Sequence, residues 1–75
     1  MKLLLFGMLA EDIGKQEIVL ETFRDVNSLR KYLLEHYPIL RNKQFMIAVN
    51  KQKADKNITL SENDEIALIP PFAGG

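Results

Sequence analysis

Residues 16–38 read QEIVLETFRDVNSLRKYLLEHYP, and the change of rhythm inside them decides the fold. Through residues 16–22 the side chains alternate, with Gln16, Ile18, Leu20 and Thr22 on one side and Glu17, Val19 and Glu21 on the other. A period of two describes a strand. From Val26 the period lengthens. Val26, Leu29, Leu33 and Tyr37 recur at spacings of three and four, the apolar stripe of a helix. Asp25 stands where its carboxylate can accept an orphan N–H of the first turn. Pro38 stops the helix, because the residue before proline avoids helical angles. His36 falls in the last turn, where a cation or donor suits the negative end of the helix dipole.

Upstream, residues 2–9 form an apolar run without helical spacing, which predicts a buried strand. The loop around Gly14-Lys15 then suggests a hairpin into residues 16–22. Downstream, Ile39 to Lys43 form a connection. Phe45, Ile47 and Val49 alternate with Met46, Ala48 and Asn50 as a third strand. A turn at Asn50–Lys53 leads to a short edge strand near Lys53-Ala54. Its lysine discourages strand addition by other chains. Leu60 to Asp64 read as a further turn with Asn63 at positive φ, and Glu65 to Ile69 as the last strand, ended by Pro70. The sum is an α+β roll, one main helix crossing a mixed sheet.

Seventy-five residues make one domain, and a chain of that size buries only about 60% of its unfolded surface. Its walls leave little room for a private active-site cavity, which needs about 300 Å³ or more. Cysteine is absent and His36 is the single histidine, so disulfides, thiolate–metal sites and a cysteine nucleophile are excluded. No glycine-rich loop leads to Lys-Ser/Thr, so the common phosphate cradle is missing. Ser28 and Ser61, the two serines, have no histidine partner in view. No metal site is expected.

Net charge is zero but unevenly placed: −2 over residues 1–25, +5 over 26–56 and −3 over 57–75. Solvated faces account for most of this, and the acidic ends suit a basic partner. Nucleic-acid binding wants a basic domain with interleaved aromatics, which is not the pattern here. No stretch reaches about 18 apolar residues, so none reads as a membrane span. Met1 to Phe6 begin like a signal peptide, but Glu11 and Asp12 interrupt the short run and no cleavage site follows. A cytoplasmic location is expected.

Elimination leaves the stretch Pro70-Pro71-Phe72-Ala73-Gly74-Gly75. The expected organisation is a folded domain over residues 1–70 and an extended, flexible tail over 71–75. Four residues beyond Pro71 reach at most about 14 Å. Proline stiffens the base and removes N–H donors. Phe72 offers one apolar anchor. Gly74 and Gly75 lack a Cβ and so fit a narrow slot. A terminal carboxylate is ionised at neutral pH, with an ordinary pKa of about 3.3–3.7, and resists acyl transfer until activated. A partner enzyme has to supply that activation.

The ending Asp64-Glu65-Ile66-Ala67-Leu68-Ile69-Pro70-Pro71-Phe72-Ala73-Gly74-Gly75 resembles the small, sulfur-carrying subunit of molybdopterin synthase. The opening Lys2-Leu3-Leu4-Leu5-Phe6-Gly7, the helix Val26-Asn27-Ser28-Leu29-Arg30 and the strand Ala48-Val49-Asn50 resemble it too. The resemblance implies a ubiquitin-like β-grasp fold. It implies that Gly75 becomes an acyl adenylate and then a thiocarboxylate, which donates sulfur to cyclic pyranopterin monophosphate. Pro71, Phe72, Ala73 and Gly74 would thread the channel of the large subunit, in a heterotetramer of two small and two large subunits. Phe6 and Ile69 match apolar partner-facing positions. The family's third apolar position falls near Lys53, where a charge stands instead. The chain itself would bind no cofactor; ATP and Mg²⁺ belong to a partner adenylyltransferase of the ubiquitin-activating type. No nucleic acid or membrane is implied as a partner. Three alternatives stay open: another β-grasp carrier serving thiamine synthesis or tRNA thiolation, a modifier conjugated to lysines, and an interaction module with an inert tail.

Overall fold

In the computed structural model the structure describes residues 1–71. The elements run β1 (Lys2–Leu5), α1 (Gly7–Ile13), β2 (Glu17–Val19), α2 (Val26–His36), a 3-10 turn (Pro38–Asn42), β3 (Met46–Val49), β4 (Gln52–Lys53) and β5 (Glu65–Ile69). The strands form one sheet in the order β2-β1-β5-β3-β4. β1 and β5 run parallel in its middle, and the other neighbours are antiparallel. This is the α+β roll that the change of period predicts, with the β-grasp architecture that the resemblance implies.

α2 packs over one face of the sheet. Its stripe Val26, Leu29 and Leu33 is buried with Leu3, Leu5, Ile18, Ile47, Ile66 and Leu68 from the strands. Each such side chain contributes about 1.5–3 kcal/mol by leaving water. The expected cap is present: the Ser28 N–H donates to Asp25 Oδ1 across 2.8 Å. The N-terminal turn of α2 is also tied to the strand-like segment before β5. There the Asn27 N–H donates to Asn57 Oδ1 (2.9 Å) and the Val26 N–H to the Ile58 carbonyl (3.0 Å). Tyr37, before proline, leaves the helical region at φ −127°, ψ 78°. The connection after it is wound into the 3-10 turn, which buries Leu40.

Three local expectations are corrected. Strand β1 ends at Leu5 rather than running to Leu9, and a helix follows at once. Gly7 turns the chain with φ +57°, and α1 then buries Leu9 while Ala10 and Ile13 pack beside it. β1 and β2 do pair antiparallel, but α1 connects them instead of a tight hairpin at Gly14-Lys15, and β2 is shorter than residues 16–22. Positive φ falls not on Asn63 but on Asn50 (52°) and Lys51 (70°). These form the two-residue loop between β3 and β4, where left-handed angles match the strand twist. Asn50 also closes the entry to β5. Its Nδ2 donates to Asp64 Oδ1, and its Oδ1 accepts the Glu65 N–H, each at 2.9 Å. The Leu60–Asp64 turn is held differently, by the Ser61 N–H donating to Asp64 Oδ2 at 2.8 Å.

Candidate functional site: the open face and the base of the tail

With α2 on one face, alternate residues of each strand present the other. On β5, Ile66 and Leu68 are buried, so Glu65, Ala67 and Ile69 belong to the open face. Register extends it sideways. Glu17, Leu4, Ala67, Ala48 and Lys53 lie on one row across all five strands. Ile69 pairs with Met46 on the next row towards the end of β5. The middle of this face is apolar, with small side chains at Ala48 and Ala67, and a charge stands at each edge. Lys53 is itself loosely paired, its Nζ lying 3.6 Å from Asp55 Oδ1 with both side chains mostly exposed. Such a pair contributes about 0–1 kcal/mol and is easily exchanged for another partner.

Phe6 follows β1 and is 46% exposed. Its N–H donates to the Leu68 carbonyl across 3.3 Å, which holds it beside the end of β5. Met8, in the first turn of α1, adds a second exposed apolar side chain (64%) near it. An open groove of about 570 Å³ borders Phe6, lined also by Leu4, Gly7, Ala10, Glu11 and Glu17 among others. Pro70 is half-buried and Pro71 exposed, so the stem of the tail leaves the fold here. Backbone lies close behind it: a Cβ on Gly7 would sit 3.1 Å from Pro70 Cγ. Of the residues picked from sequence, the structure thus brings Phe6, Ile69 and Pro71 to one corner. Phe72, Ala73, Gly74 and Gly75 lie outside the described residues. Gly7 was not legible as part of the corner, because reading residues 2–9 as strand hid the turn there.

His36 sits away from this corner, at the end of α2. Its ring stacks on Tyr32 at 3.9 Å, and Nδ1 lies 3.1 Å from the Tyr32 carbonyl. Among the described residues no group of three His, Asp or Glu side chains is placed to hold a metal.

A mixed sheet with its main helix across the back, an apolar front and a stem that continues its central strand defines a ubiquitin-like β-grasp domain. The model of the ThiS family matches residues 3–75, and the chain belongs to that family. It is 39% identical over 83 residues to the molybdopterin synthase sulfur carrier subunit of Dictyostelium discoideum, covering 99% of this chain and 94% of the relative. It is 34% identical over 77 residues to the subunit of that name in Mycobacterium tuberculosis, covering 96% and 93%. Among solved structures, SAMP1 from Haloferax volcanii superposes with a TM-score of 0.77 at 26% identity, covering 99% of this chain and 97% of that one. The complex of subunits 1 and 2 of molybdopterin-converting factor from Helicobacter pylori gives 0.74 at 28% identity, covering 99% and 96%.

Proposed function

We propose that this chain is the sulfur-carrier subunit of a molybdopterin synthase. The observation that carries the reading is its end-to-end likeness to sulfur carrier subunits of that enzyme, with the family match running through Gly74-Gly75. The reaction needs three steps. A partner adenylyltransferase, using ATP and Mg²⁺, joins the Gly75 carboxylate to AMP and releases pyrophosphate. A sulfur nucleophile then displaces AMP and leaves a thiocarboxylate. In the large subunit that thiocarboxylate gives its sulfur to cyclic pyranopterin monophosphate and returns to a carboxylate. Two carriers in turn supply the two dithiolene sulfurs, in an assembly of two small and two large subunits in the cytoplasm.

The proposed roles divide along the chain. Phe6 and Ile69 dock the open face by apolar contact. Pro71 stiffens the stem, and Phe72 anchors it. Ala73 and Gly74 pass the partner's channel with little or no side chain. The H. pylori neighbour, solved as a complex of the two subunits, supports a large-subunit partner. The test is intact mass after incubation with ATP, a sulfide donor and the adenylyltransferase. Exchange of one terminal oxygen for sulfur is expected, and an unchanged mass overturns the reading. A second reading, a protein modifier, draws support from the fold likeness to SAMP1. It shares the activated glycine. Molybdopterin formation on adding the large subunit and cyclic pyranopterin monophosphate favours the first reading, and an isopeptide bond to a lysine favours the second.

A further inference from the structure

We infer that Gly7 is a positioning residue for the C-terminal tail: its bare Cα forms the seat against which the Pro70 ring fixes the direction of the stem. Two demands meet at this residue. The backbone is left-handed there, with φ +57°. Independently, the space a side chain would enter is taken, with Pro70 Cγ 3.1 Å and Pro70 Cδ 3.8 Å from an added Cβ. Gly14 separates the two demands within the same molecule. Its φ is +84°, yet nothing lies within 4 Å of an added Cβ. Gly14 serves a turn alone, whereas Gly7 serves a turn and a contact.

The seat is fixed to the sheet. Phe6, immediately before it, donates its N–H to the Leu68 carbonyl, and the Phe6 carbonyl accepts the Leu9 N–H at 3.2 Å. The stem is stiff on its side too. Pro70 and Pro71 each hold φ near −65°, and Ile69, preceding proline, is kept extended. A push on the Pro70 ring therefore has few soft torsions nearby to absorb it. It shifts the base from which the last four residues reach, a span of at most about 14 Å. Reaction at that end is sensitive to placement, since a shift of about 1 Å can cost about 100-fold in rate.

This inference rests on the sulfur-carrier reading, and the experiment separates the two. Thiocarboxylate formation is followed with the adenylyltransferase for wild type, Gly7→Ala, Gly14→Ala, Pro70→Ala and the Gly7→Ala/Pro70→Ala pair. Gly7→Ala is expected to lower kcat about tenfold while KM stays within about twofold, because the docking face is unaltered. Gly14→Ala is expected to lose stability but keep both constants. In the double variant kcat is expected to match that of Pro70→Ala alone, since the ring that clashes is gone. If Gly7→Ala does not fold, Gly7→Asn carries the same Cβ in a residue that tolerates left-handed angles. An unchanged kcat in the folded Gly7 variant overturns the inference. So does an equal loss with and without the Pro70 ring. Failure of the wild-type chain to be converted overturns the sulfur-carrier reading instead.

Discussion

Asp25 accepts the Ser28 N–H at the start of α2, and Asp64 accepts the Ser61 N–H in the turn before β5, each at 2.8 Å. In both, the backbone N–H bond favours the carboxylate form and holds the group below its ordinary value of 3.8. Replacing Asp25 by Ala removes a cap and is expected to lower the urea midpoint. The pH dependence follows from the sign of the shifts. A carboxylate depressed in the folded state adds stability that is fully present above its unfolded value and is lost as pH falls through its folded one. Stability is therefore expected to decline below about pH 4, and Asp25→Asn/Asp64→Asn to flatten that decline. An acid limb identical in wild type and double variant would rule these two groups out as its cause. Asp25 was readable as a cap from its place before the stripe. The Asn50 bonds to Asp64 and Glu65 were not, because they join residues 14 and 15 apart in sequence.

α2 was legible because its signals agree: a stripe at 3.6, a cap before it and a proline after it. α1 carries no such agreement. It is seven residues long, Phe6 caps it without a side-chain bond, and its first residues continue an apolar run begun in a strand. The signal that does mark it is at the far end. Gly14 takes φ +84° and its N–H returns to the Ala10 carbonyl, a glycine-closed C-terminus four residues after Ala10. A helix this short is marginal by itself and is held by packing. Leu9, almost fully buried, provides most of that. Lys43 Nζ adds a charge contact 3.1 Å from Asp12 Oδ2, without hydrogen-bond alignment at an oxygen that has no hydrogen-bond partner among the described residues. Leu9→Ala is expected to destabilise the domain by about 2–5 kcal/mol by thermal or urea unfolding. A loss below about 0.5 kcal/mol, the range of ordinary surface changes, would mean α1 is not part of the core.

At the scale of the molecule, the sheet's two faces divide the work: the back builds stability and the front is free for partners. Phe6→Asp should therefore leave the melting temperature nearly unchanged while weakening large-subunit binding at least tenfold, roughly 1.4 kcal/mol, as read by calorimetry. Equal binding would remove Phe6 from the interface. Deleting Gly75 should abolish thiocarboxylate formation and leave the melting temperature in place, and retained conversion would show that another group is activated. The α+β roll with one main helix was readable from period and pattern, whereas the β-grasp class and the partner-facing places of Phe6 and Ile69 came from the family resemblance. The pairing order was not, since alternation does not say which strands meet. The central neighbours β1 and β5 join Lys2–Leu5 to Glu65–Leu68, the two ends of the chain. During synthesis the sheet stays in two pieces until its last strand has left the ribosome, because β5 alone connects β1 to β3. Completion of the open face therefore waits for β5, the same strand that leads directly into the stem Pro70-Pro71.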